Sequence, residues 1–130
     1  DLSKIKTPAY FLSTVEDHIA PWKATYSGAK LFSGPVKFVL GGSGHIAGVI
    51  NPPSAGKYGY RTNPKLADDA DAWLKGAGQN ASSWWTDWDK WVEKFGGEKV
   101  APRIPGKGKL KALEEAPGSY VKFRLDADKA

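Results

Sequence analysis

The chain has 130 residues, a formal net charge of +5, 41% hydrophobic and 25% charged residues, and no cysteine. That size supports one small domain with a modest core. The missing cysteine excludes a disulfide framework and a thiolate metal site within these residues and fits a reducing compartment. No apolar run is long enough to span a bilayer, and no amino-terminal stretch has the layout of a signal peptide. Methionine is absent as well, so Asp1 is expected not to be the start of the coding sequence.

Pro8–Ser13 (PAYFLS) reads as a short buried strand, apolar and bounded by proline and by polar residues. The segment PWKATYSGAKLF reads as a helix with Pro21 at its first position, where the missing N–H costs nothing. Trp22, Tyr26 and Ala29 then share one face. Val36–Leu40 (VKFVL) reads as a second strand, rich in β-branched residues. Strand, helix and strand at this spacing form a βαβ unit with two parallel strands. Two strands alone make a poor sheet, so residues 1–53 are expected to be the edge of a larger one.

Residues 41–63 are rich in Gly, Pro, Ser and Asn and read as a long loop of the kind that is usually functional or mobile. DDADAWLKGAG follows as a short helix capped by Asp68 or Asp69, with Ala70, Trp73, Leu74 and Ala77 on one face and Gly76 and Gly78 at its end. SSWWTDWDKWVEKFGG is the clearest helix, capped by Ser82 or Ser83 and stopped by Gly96. Its Trp84, Trp88, Trp91 and Phe95 recur on one face. Two readings stand for this stripe: a face packed on its own domain, which the helical spacing favours, or an exposed platform for a ligand or surface. The loose basic run Arg103–Lys111 has no interleaved aromatics to stack on bases and no helical frame for a groove, so a solvated linker is preferred over a nucleic-acid contact. GSYVKFRL, near the end, reads as one last short strand.

The chemistry concentrates in two loops. Glu16, Asp17 and His18 follow the first strand, and His45 follows the second. In open α/β sheets, ligands and catalytic groups gather at the carboxyl ends of the strands. Parallel neighbours lie about 4.8 Å apart, so the loops can bring Asp17 to His45. A carboxylate that accepts from an imidazole fixes its tautomer and stabilises its cation. That would be the acid and base half of a nucleophile–His–acid system. A surface carboxylate with an unrelated loop histidine is the plainer alternative. Metal binding by Glu16, Asp17, His18 and His45 is a third, without a recognised ligand spacing.

VEDHIAPW (15–22), FVLGGSGHIAGVINPP (38–53), SWWTDWDKWV (83–92) and APGSYVK (116–122) together resemble the class I polyhydroxyalkanoate synthases. The resemblance covers nearly the whole chain, loosely over residues 96–115 and the last eight. It implies the C-terminal portion of an α/β-hydrolase fold. Residues 1–53 would be a βαβ unit bearing the acid and His loops, 54–97 a helical segment and 98–130 an irregular tail. It implies that Asp17 and His45 are the catalytic acid and base, that His18 is not catalytic, and that the nucleophile is a cysteine upstream of this region. The implied reaction polymerises (R)-3-hydroxyacyl-CoA to polyester with release of CoA, without a cofactor or metal, in a cytoplasmic, granule-associated homodimer. With no cysteine of its own, this segment is expected to be inactive alone, and poorly folded if one flank of a two-stranded sheet is bare. An esterase or depolymerase of the same fold, and a non-catalytic granule-binding module, are the competing readings.

Overall fold

The computed structural model describes residues 1–124. Within them, Asp1–Gly96 forms one compact unit and a second begins at Gly97. Strands β1 (Ala9–Thr14) and β2 (Val36–Gly41) pair in parallel, from Ala9 opposite Val36 to Thr14 opposite Gly41. Helix α1 (Trp22–Ala29) connects them. Pro21 does not open the helix from inside. It precedes the first helical residue with an extended ψ of 126°, its fixed φ serving to aim the chain into the first turn.

The sheet is larger than a parallel pair. It has four strands in the order β1-β2-β3-β4, with β3 (Tyr60–Thr62) and β4 (Gly78–Asn80) added antiparallel beyond β2. β2 therefore has a strand on both sides while β1 stays an edge strand, and the Gly-rich segment after residue 41 is not a structureless loop. These added strands are three residues each, too short to show an alternating pattern. Their pairing depends on close approach: a Cβ built on Gly59 would sit 2.5 Å from the Asn80 carbonyl oxygen.

One face of the sheet carries the main core. Trp22, Tyr26 and Ala29 of α1 pack with Phe38 and Leu40 of β2 and with Ala70 and Trp73 of helix α2 (Ala70–Lys75). The rings of Tyr26 and Trp73 each meet Phe38 edge-on, with centroids 5.1 Å apart, the arrangement that aromatic quadrupoles favour. The Tyr26 hydroxyl donates to the Ala67 carbonyl at 2.8 Å. Asp69, not Asp68, caps α2, accepting from the Ala72 amide at 2.8 Å, which satisfies one of the free N–H groups of the first turn.

Helix α3 (Trp85–Val92) has no fully buried residue despite its regular aromatic spacing. Its contact with the sheet runs through Tyr10 of β1, whose ring lies 5.4 Å from that of Trp91 and 6.3 Å from that of Trp84. Of the stripe, Trp88 and Phe95 stay 40% and 56% exposed. The stripe is thus half packing face and half surface. A polar cluster completes the attachment: Asp87 accepts from the Tyr10 hydroxyl at 2.9 Å and from Lys37 Nζ at 2.7 Å. Burial, with the Asp87 carboxylate second, pushes the Tyr10 phenol up, so it remains a donor.

In the second unit, Ser119–Lys122 forms a 3-10 turn, closed by the Phe123 amide on the Tyr120 carbonyl, instead of the expected strand. Gly118 enters it at a φ of 91°, a left-handed conformation that breaks an extended run. Leu125, the last residue of that expectation, lies outside the described residues. Among the described residues no helix is long and apolar enough to cross a membrane.

Candidate active site

The two loops meet as continuations of the parallel pair. Past the last residues of β1 and β2, the Val15 amide donates to the Gly41 carbonyl at 2.9 Å and the Glu16 amide to the Ser43 carbonyl at 3.0 Å. The ladder therefore extends into the loops and draws Asp17 to His45. His45 Nδ1 lies 2.8 Å from Asp17 Oδ2. An ionised carboxylate only accepts, so Nδ1 carries the proton of this contact, and the tautomer leaves Nε2 as the acceptor nitrogen.

Asp17 is itself held. Its Oδ1 accepts from the amides of Ile19 and Ala20, both at 2.9 Å, a side-chain turn typical of aspartate. The Ala20 amide first, and the His45 contact second, hold the Asp17 carboxyl below the usual carboxylate range. It is therefore ionised at neutral pH. Exposure divides the pair: the Asp17 side chain is 8% exposed and that of His45 46%. The acid is screened and oriented, while the imidazole is presented outward. His18, next in sequence, is exposed and does not supply the imidazole that meets Asp17. Among the described residues no three His, Cys, Asp or Glu side chains converge where they could hold a metal ion, so Glu16, Asp17, His18 and His45 do not form a ligand set.

His45 rides on a helical turn. The Gly48 amide donates to Gly44 at 3.0 Å and the Ile50 amide to Ile46 at 2.8 Å. The left-handed residue before His45 is not one of the neighbouring glycines but Ser43, with a φ of 66°. The glycine the turn cannot replace is Gly48. A Cβ there would lie 2.4 Å from the Gly42 carbonyl oxygen and 2.5 Å from Thr14 Cγ2. Gly48→Ala is therefore expected to push the His45 turn off β1. It should cost about 1–3 kcal/mol and lower any activity that depends on His45. An unchanged urea midpoint together with unchanged activity would refute this close-packing role.

A cleft of about 260 Å³ opens beside the loops, lined by Val15, Leu40 and Gly42 on one side and by Gly59, Arg61 and Gln79 on the other. Neither Asp17 nor His45 lines it. Sequence reasoning brought both site residues together. It missed the Ile19 and Ala20 amides, Ser43 and Gly48, because backbone donors and close approaches carry no residue-type signature; only the Gly-x-x-x-Gly spacing of 44 and 48 hinted at the turn.

No protein-family model matches the chain. Its sequence is 48% identical over 123 residues to a poly(3-hydroxyalkanoate) polymerase subunit of Rhizobium etli, covering 95% of this chain and 19% of that protein. Against the Cupriavidus necator polymerase subunit the identity is 45% over 125 residues, covering 95% of this chain and 21% of the relative. Against the Methylorubrum extorquens polymerase it is 46%, with the same coverage. The chain thus spans about a fifth of the length of the relatives it matches.

Proposed function

This chain is homologous along nearly its whole length to poly(3-hydroxyalkanoate) polymerases, and from that premise we propose that it supplies the acid and the base of a class I synthase active site on an α/β-hydrolase fold. The observation that carries the reading is the 2.8 Å contact of His45 Nδ1 with an Asp17 carboxylate that is itself fixed by two backbone amides. A carboxylate so held orients the ring and stabilises the imidazolium, leaving Nε2 to move protons.

The chemistry follows from those two atoms. A cysteine outside these 130 residues, which contain none, gives its proton to His45 Nε2, because the thiolate is the reactive form. The thiolate attacks the thioester carbonyl of an (R)-3-hydroxyacyl-CoA. The bond to CoA sulfur breaks, and CoA leaves with the proton that His45 held. His45 then accepts the proton of a 3-hydroxyl group as that oxygen attacks an acyl-cysteine thioester. An ester forms, the cysteine sulfur is released and reprotonated, and the chain is one unit longer. No cofactor is needed, since the activated acyl group arrives on the substrate. In this fold the nucleophile and the oxyanion donors come from the strand–helix elbow and an earlier loop, and the exposure of the His45 ring is consistent with a wall contributed from elsewhere. The whole enzyme would work as a cytoplasmic homodimer at the surface of its polyester granule.

The test is a comparison of products from labelled (R)-3-hydroxyacyl-CoA. The full-length protein containing this segment is expected to release CoA and form polymer, and the 130-residue chain to do neither. Release of the free hydroxy acid without polymer would turn the reading towards a hydrolase, and turnover by the isolated chain would overturn it.

A further inference from the structure

We propose that the amino end of α3 is the positioning device of the His45 turn, with Trp84, Trp85 and Ser83 acting through the backbone at Val49 and Asn51; this rests on the catalytic reading of His45. The indole N–H groups of Trp84 and Trp85 both donate to one acceptor, the Val49 carbonyl, at 3.2 and 2.9 Å. A carbonyl oxygen has two lone pairs, so the two indoles saturate it. Ser83 is fully buried. Its hydroxyl donates to the Asn51 carbonyl and accepts from the Trp85 amide at 3.1 Å. Asn51, 2% exposed, in turn donates from Nδ2 to the carbonyls of Lys57 and Tyr58 at 2.8 and 3.1 Å. Four side chains thereby fix the segment that leaves the His45 turn.

The constraint closes on itself. Val49 belongs to that turn, its amide donating to Ile46 at 3.1 Å. From its first turn α3 is also fastened to the strands that carry the two site loops, through Tyr10 of β1 and Lys37 of β2 on Asp87, and nearer its carboxyl end Trp91 packs on Tyr10. Strands, α3 and turn therefore form one ring of contacts with His45 on it. This accounts for the tryptophans better than an aromatic platform does. The N–H groups of Trp84 and Trp85 face the protein backbone, and the Trp85 ring, 41% exposed, is the outer side of a clamp. Displacements of about 1 Å in a reacting group can cost about 100-fold in rate, so a clamp this near His45 bears on turnover.

In the full-length enzyme, Trp85→Phe and Trp84→Phe keep an aromatic ring and delete one donor each. The double variant is expected to lower kcat for CoA release by about 10- to 100-fold with KM little changed, each single variant less, because the other indole still holds Val49. The nitrogen-15 signals of the His45 imidazole should broaden or move towards a mixture of tautomers in step with kcat. A packing role alone would reduce the yield of folded enzyme without that change. Unchanged kcat and unchanged imidazole signals in the folded double variant overturn the clamp; if the double variant does not fold, the same outcome in Trp85→Phe does so. Should the imidazole signals move while His45→Ala retains full polymer formation, the clamp stands and the catalytic reading falls.

Discussion

His45→Ala in the full-length enzyme is expected to lower CoA release and polymer formation by about 10²–10⁴-fold, the range over which a positioned acid–base group acts. The loss follows from geometry. Of the two histidines, His45 is the one brought to the Asp17 carboxylate, at 2.8 Å, and its ring is 46% exposed. His18→Ala is the matched control: it removes the other histidine of the chain, one residue from Asp17, and should leave turnover within about twofold, as is usual for exposed positions away from special contacts. Equal losses for the two variants, or a loss under tenfold for His45→Ala, would remove His45 from the chemistry.

The second large effect is on stability. Trp73 is 0% exposed and touches the rings of Trp22, Tyr26 and Phe38, with centroids 6.4, 5.8 and 5.1 Å away. It links α1, α2 and the sheet. Trp73→Ala should cost about 3–5 kcal/mol, the loss of a large buried ring plus the cavity left behind. Among the described residues its buried Nε1 has no hydrogen-bond partner, and an unpaired buried donor already carries a desolvation cost. Trp73→Phe should therefore lose distinctly less than Trp73→Ala. Urea unfolding followed by far-ultraviolet circular dichroism separates the two; a Trp73→Ala loss under about 1 kcal/mol would mean that this cluster is not the core.

Much of this was legible because it was local. Trp22, Tyr26 and Ala29 lie three and four residues apart, and all three are buried as that spacing requires. The two parallel strands lie within a residue of their expected limits. Asp17 and His45 could be brought together because each follows one member of a parallel pair. What escaped depends on distant partners. Tyr60–Thr62 is a strand because β2 offers an edge, and Gly78–Asn80 because Tyr60–Thr62 then offers the next. The α3 stripe has helical periodicity, yet periodicity says which side chains align and not how much surface awaits them; the ring that β1 sets against it is Tyr10. Nor does residue type mark the bend before His45, where Ser43 takes the positive φ and Gly48 is needed for contact.

The central claim is that Asp17 and His45 work as one unit, and a double-substitution cycle tests it most directly. CoA release would be measured for the full-length enzyme, for Asp17→Asn, for His45→Ala and for both together. Residues that act as a unit are strongly non-additive, so the double variant should be no slower than His45→Ala alone. Losses that multiply would mean that Asp17 acts independently of His45, and the 2.8 Å contact between them would not be the working part of the site.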